Sequence, residues 1–250
     1  MALKDYLITC VSYFLQPAKR KLIGFSYRLR GKKGLEIGGP SSQFSLRGYF
    51  PVYLFAERVD GVNFSTETVW EGVIREGDTY KYHNKTGFQF VKEATDLGSI
   101  DSDSYDFILS CHSLEHIANP LLAIAEWKRI LKPGGLLILI LPDKEHTFDF
   151  NRPYTTVRHL VDDYVNNTTE NDTTHFEEII QLHEIGRDPG TSSKEELVTL
   201  LKDNYNNRRA HHHVFSLDVI GEALQYSSFR VLHQQKAPPF HLITVAKKKA

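Results

Sequence analysis

The chain has 250 residues, is 41% hydrophobic and 24% charged, and carries a net charge of −1, the make-up of one globular domain or a domain with a sizeable insertion. So neutral a balance excludes a global field that would draw it to nucleic acid or an anionic membrane. Two cysteines, Cys10 and Cys111, are too few for a disulfide framework, and a reducing, cytoplasmic setting is expected.

The first apolar run, YLITCVSYFL, is far short of the ~20 residues needed to span a bilayer. It has no basic segment before it and no small-residue cleavage site after it. Basic clusters follow at 19–21 and 28–33. Residues 1–33 read as an N-terminal helical extension whose basic faces are solvated or grip an anionic group. From 34 to 142, short apolar runs at 34–38, 53–60, 88–92, 105–111 and 136–142 alternate with turn signals and one clear helix. That is the pattern of βαβ units and a parallel sheet. In the helix, Asn119 is placed to cap and Pro120 to take the first position. Leu121, Ile124, Trp127 and Leu131 share one face of a 3.6-residue period, and Pro133 and Gly134 end it. The run LLILILP is continuously apolar, as a strand buried on both faces should be.

Residues 143–213 are polar and contain His146, His159, His175, His183, His211, His212 and His213, so that this stretch reads as an insertion or lid. From 214 to 250 the core resumes, with a capped helix at SLDVIGEALQYS and strands at FRVLHQQKA and FHLITVAKK. The two strands join through two prolines without a helix and are expected to pair antiparallel.

The stretch LEIGGPSSQF, 35–44, ends the first expected strand in Glu36 and turns on Gly38 and Gly39. Glycine serves where the backbone takes φ > 0 or approaches a ligand closely. A pyrophosphate-binding loop would want further glycine near 40 or 43, where Pro40 and Gln43 stand. A cofactor without phosphate suits the loop better, and S-adenosylmethionine is one. Asp60, about twenty residues on, ends the second expected strand and could accept from both ribose hydroxyls; Glu57 is the alternative there. Asp96 in EATDLGSI could accept from the adenine amino group, and the Leu97 amide could donate to the ring. Cys111 and His112, opening CHSLEHI, would line the methionine end.

Taken together, EIGGPS, Asp60, EATDL, SLEHIANPLLAIAEWKRILKPGG and LLILILP resemble a class I S-adenosylmethionine-dependent methyltransferase of type 11. The resemblance covers roughly 34–142 and 216–248. It implies an α/β, Rossmann-like, seven-stranded and mostly parallel sheet with the last strand antiparallel, here with a helical insertion or lid at 143–213. It also implies that Glu36, Gly38 and Gly39 meet the methionine portion, Asp60 the ribose, and Asp96 with Leu97 the adenine. Pro40 and Ser42 depart from the glycines many members carry. GLEIGGPS with HHHVF is further similar to a bacterial subgroup associated with surface-polysaccharide and sugar modification.

Methyl transfer from a sulfonium is an in-line displacement; the protein must align the nucleophile, exclude water and take a proton from a hydroxyl acceptor. Histidine suits that task near neutral pH, and the candidates are His146, His211 and His213. In an extended segment His211 and His213 would share one side. Asp149 reads as a cap or a substrate contact, and His112 and His116 as packing or positioning residues. HFEEIIQLHE is not HExxH and no pair has a standard ligand spacing, so no metal is expected. The expected acceptor is a small molecule, a sugar, nucleotide-linked sugar or related metabolite, and not nucleic acid. Two other readings stay open, a nicotinamide-dependent oxidoreductase and a non-catalytic module that binds S-adenosylmethionine. The sequence is silent on oligomeric state.

Overall fold

A computed structural model describes residues 17–249; Cys10 and the first part of the expected N-terminal extension lie outside them. Helix α1 (Pro17–Arg28) buries Leu22 against the sheet. Strand β1 (Lys33–Ile37) is followed by a turn of 3₁₀ helix at Ser42–Phe44 and a single α-helical turn, α2 (Val52–Phe55). Strand β2 spans Arg58–Asn63. The expected strand at 53–60 is therefore two elements. Four buried apolar residues in a row satisfy a helical turn as well as a strand, and the true strand runs three residues past Asp60.

A small hairpin of β3 (Glu67–Thr68) and β4 (Gly72–Val73) comes next, then β5 (Gly77–Tyr82) and β6 (Lys85–Val91). Strand β7 (Tyr105–Cys111) leads through α3 (Pro120–Ile130) to β8 (Leu131–Pro142). The Asn119 side chain caps α3 by accepting from the Leu122 amide at 3.1 Å. Trp127, on its buried face, donates from Nε1 to the Ala94 carbonyl at 3.0 Å. Residues 143–213 carry α4 (Val157–Val165), α5 (Phe176–Leu182), α6 (Lys194–Lys202) and α7 (Asn204–Asn207); α8 (Leu217–Tyr226), β9 (Phe229–Ala237) and β10 (His241–Lys248) complete the chain.

The eight-stranded sheet has the order β5-β6-β2-β1-β7-β8-β10-β9. The pairs from β6 through β8 are parallel, and β10 is antiparallel to both β8 and β9. The antiparallel last strand is as expected. The eighth strand, β5, adds an antiparallel edge beside β6.

Alternation along β1 sends Leu35 and Ile37 into the cluster with Trp127, Leu160 and Leu224. The other side meets an aromatic layer of Phe44, Tyr53, Tyr80 and Phe107. Gly34 is required there, since a Cβ would lie 1.9 Å from the Phe107 ring. A third, small cluster of Ile179, Leu197, Leu201 and Ala210 sits inside the 143–213 segment.

Candidate active site

A cavity of about 620 Å³ is lined by residues from the carboxyl ends of β1, β2, β6 and β7 and by residues of the 143–213 segment. Ligands of open α/β sheets bind at those strand ends, and the volume is in the range of small-molecule sites. Gly38 lies in the wall with φ +73, and a Cβ on it would sit 2.4 Å from Ser113 Oγ. Asn63, at the end of β2, donates from Nδ2 to the Gly39 carbonyl at 3.2 Å. Glu93 and Ala94 follow β6, Cys111 ends β7 and His112 follows it, all in the cavity wall. Burial pushes the Cys111 thiol up to about 12, so it is no nucleophile at neutral pH. His112 is lowered to about 3 by burial and the neighbouring His241, whose Nδ1 is 3.0 Å from His112 Nε2.

Of the residues expected at the cofactor, Gly38, Cys111 and His112 line the cavity and the others do not. Glu36 points into the aromatic layer, because Leu35 and Ile37 take the other side of the strand. Its carboxylate is fully buried and accepts from Tyr53 Oη at 2.6 Å, Tyr80 Oη at 2.7 Å and the Ser41 amide at 2.8 Å. Burial pushes Glu36 up to about 7 against those hydrogen bonds. Gly39 makes room for the same group; a Cβ there would lie 2.3 Å from the Glu36 carboxyl. The pair anchors the loop.

Asp60 pairs with Leu35 in mid-strand. It accepts from Arg58 Nε at 2.6 Å, the Phe88 amide at 2.7 Å and Tyr105 Oη at 2.9 Å. The strand-end position belongs to Asn63. Asp96 is exposed, and the Leu97 amide already donates to Glu126 Oε2 at 3.1 Å. Glu93, three residues before Asp96, is the acid that this turn puts in the wall.

His211 is the one expected base in the cavity wall. Its Nδ1 lies 2.5 Å from Asp149 Oδ2. Arg152, itself buried, donates from Nη1 to Asp149 Oδ1 and to the His211 carbonyl, each at 2.8 Å. Side chain and backbone of His211 are thus held by one buried ion pair. Burial alone would depress His211, but the Asp149 carboxylate holds it above its usual value. Asp149 goes down to about 2 despite its burial, through His211 and Arg152. His146 is exposed on a 3₁₀ turn outside the cavity, and His213 is buried elsewhere among His159, Asp163 and His175. Residues 208–216 belong to no helix or strand, and His213 does not share the cavity wall with His211.

Sequence reasoning missed Asn63, Glu93 and the role of Asp149. It also missed Glu115, which is fully buried in the wall; neither carboxylate oxygen has a hydrogen-bond partner among the described residues. Burial pushes Glu115 up to about 7. The ring of His116 meets that of His211 edge-on at 4.6 Å. Trp70 lies 5.3 Å from His116 and also lines the cavity.

The donor set disfavours a pyrophosphate cradle at the glycine turn. Pro40 has no N–H. The amides of Gly38, Ser41 and Gln43 donate within the protein, to Val62 O, Glu36 Oε1 and Ser41 Oγ. What the wall does offer is acceptors, at Asn63, Glu93 and Glu115. Those suit hydroxyls, an amino group and a positive sulfonium, the polar parts of S-adenosylmethionine.

Residues 45–139 match the family model described as a methyltransferase domain. The fold matches an S-adenosylmethionine-dependent methyltransferase from Mesorhizobium loti at TM-score 0.53 and 12% identity, covering 93% of this chain and 96% of that one. It matches one from Aquifex aeolicus at TM-score 0.51 and 17% identity, covering 97% of both chains. An uncharacterized 37.1 kDa protein in transposon TN4556 of Streptomyces fradiae is 40% identical over 76 residues. That alignment covers 28% of this chain and spans only 20% of the relative's length. Residues 45–139 therefore carry the match to a methyltransferase domain, on the α/β, Rossmann-like fold of class I S-adenosylmethionine-dependent methyltransferases, and S-adenosylmethionine is the cofactor that this match and fold support.

Proposed function

We propose that the protein moves a methyl group from S-adenosylmethionine to a hydroxyl of a small, hydroxyl-rich acceptor, a sugar, nucleotide-linked sugar or related metabolite. The observation that carries this reading is the Asp149–His211 hydrogen bond in the wall of the cavity. With Nδ1 donating to Asp149, the His211 Nε2 lone pair is free to take a proton from the acceptor. Asp149 then stabilises the imidazolium, and Arg152 keeps the carboxylate ionised.

When bound, the cofactor supplies a methyl group already activated by the positive sulfur. Asn63 would hold the ribose and Glu93 the adenine amino group, and Gly38 would let the backbone come close to the methionine portion. Glu115 would face the sulfonium or the acceptor hydroxyl. Trp70 and Phe148 supply flat apolar faces for a sugar ring, and Arg209 brings positive charge to the same wall, which suits an acceptor carrying a diphosphate. Lys19, in the basic N-terminal cluster, instead donates to the Arg47 and Gly48 carbonyls.

Calorimetry with S-adenosylmethionine and S-adenosylhomocysteine tests the donor, and release of S-adenosylhomocysteine over a panel of sugars and nucleotide sugars tests the acceptor. Binding to the native state must raise Tm when ligand exceeds Kd. Absence of both heat and shift would overturn the reading. Turnover on amines but not hydroxyls would overturn its acceptor half.

A further inference from the structure

We propose that His159, Asp163, His175 and His213 form a four-ligand site for a divalent metal ion of the zinc type, outside the catalytic cavity. It does not rest on the acceptor or the base proposed above. One ligand atom from each of the four lies within 4.8 Å of the others. His159 and Asp163 are four residues apart on α4 and so share one face. His175 stands at the N-cap of α5 but makes no side-chain cap hydrogen bond. His213 comes from the segment that returns to the core.

Three of the six separations lie near the edge of a coordination tetrahedron. His159 Nε2 lies 3.1 Å from His175 Nε2 and 3.3 Å from Asp163 Oδ2, and His213 Nε2 lies 3.7 Å from the same oxygen. Four N and O ligands at ~2.0–2.1 Å from zinc stand roughly 3.3–3.4 Å from one another.

Hydrogen bonding links His159 to His175 but leaves the Asp163 end of the cluster unexplained. Asp163 Oδ1 accepts from Thr168 Oγ1 at 3.1 Å, but the buried Oδ2 has no hydrogen-bond partner among the described residues. A native interior satisfies such groups, and an ion accepting the Asp163 lone pair would do so. His213 Nε2, the nitrogen that would ligate, lies 3.2 Å from the Ala118 carbonyl, and the ion would have to replace that contact. The Thr168 contact would then orient the ligating carboxylate from outside the coordination sphere.

Imidazole and carboxylate without thiolate suit zinc and its divalent neighbours. Four protein ligands close the site, which makes it structural rather than catalytic. The ion would tie α4, the start of α5 and the return segment together, in a part of the chain whose own apolar cluster is small. Two other groupings compete. Asp172, His175 and His212 share His175 but offer three ligands, with His212 Nδ1 4.0 Å from Asp172 Oδ2. Glu115, His116 and His211 also offer three, in the catalytic cavity.

The test uses the full chain without a histidine tag. Metal content is measured by mass spectrometry after purification, after chelation and after addition of zinc alone, with Tm followed throughout. One zinc per chain is expected, with Tm falling on stripping and recovering with zinc. His159 is partly exposed, with 42% of its side chain open to solvent, so His159→Ala should fold and bind zinc at least about tenfold more weakly. His212→Ala and His211→Ala should keep the ion. The cobalt-substituted protein should absorb as a four-coordinate complex. No zinc uptake by the parent protein overturns the proposal, as does undiminished affinity in His159→Ala, loss of metal from His211→Ala or His212→Ala instead, or a six-coordinate cobalt spectrum. Donor binding, measured separately, reports on the methyltransferase reading alone.

Discussion

At the scale of single residues, the proposed chemistry rests on how Asp149 and Arg152 hold His211. Removing the imidazole with His211→Ala should lower kcat by about 10²–10⁴, the usual worth of a positioned acid or base. On the proposed role of His211, which acts on the acceptor's proton, affinity for S-adenosylhomocysteine should not change. A parallel loss of donor affinity would instead give His211 a role in the cofactor pocket. The pH profile carries the sign. The base works unprotonated, and its folded pKa is raised, so kcat/KM should climb through a midpoint above 6.5, the ordinary histidine value. Asp149→Asn removes the carboxylate that raises it. The midpoint must then move to lower pH while the plateau rate drops, because the wrong nitrogen can now carry the proton. A rate loss with an unmoved midpoint would mean that Asp149 only packs. His211 was legible in HHHVF as one of three candidates. Its selection over His213 and His146 was not, because it depends on Asp149 and Arg152, some sixty residues away in the chain.

Among the elements, β1 and β2 decide which acids are structural and which face a ligand. The strand period assigns Glu36 to the aromatic layer, and the true end of β2 puts Asn63 where Asp60 was expected. Glu36→Ala would strand two buried hydroxyls, while the Ser41 amide keeps Tyr53 Oη at 2.9 Å; the loss is about 2–6 kcal/mol at ~1–3 per unsatisfied group, read by urea titration. Asp60→Ala should likewise destabilise with little change in donor Kd once folded. Asn63→Ala should do the reverse, weakening donor binding about tenfold, or ~1.4 kcal/mol, at nearly unchanged stability. Equal effects of Asp60 and Asn63 on Kd would return Asp60 to the ribose. Periodicity made the sheet, α3 and the antiparallel finish readable, because long apolar runs and caps are local signals. VYLF was not readable as a helical turn, because all four residues are buried and a run that short has no period. Nor did GDTYKY read as an edge strand; only Tyr80 and Tyr82 of its six residues are buried.

Across the whole molecule, the 143–213 segment must be held against the sheet for the cavity to exclude water, and Arg208 is its clasp. Its Nη2 lies 2.6 Å from Glu93 Oε1, just past β6, and its Nη1 lies 2.9 Å from Glu170 Oε2 within the segment. The guanidinium also sits 4.9 Å over the Phe64 ring, just past β2. Glu93 and Phe64 are both cavity walls, so the clasp joins the segment to the strand-end side of the cavity. Arg208→Ala should cost about 3 kcal/mol, because removing one partner of a buried pair leaves the other charge uncompensated. It should also speed proteolysis within 143–213 and raise donor Kd. The loss must depend on pH. Burial already pushes Glu170 up to about 7, although Arg208 pulls it down; without Arg208 its folded pKa rises further. A carboxyl raised in the folded state contributes stability that is fully present below its unfolded value and is lost as pH rises through its folded one. The variant should therefore lie closer to the parent near pH 5 and fall furthest behind near pH 8. A destabilisation equal at both pH values would show that Arg208 acts through packing on Phe64 and not through its charge.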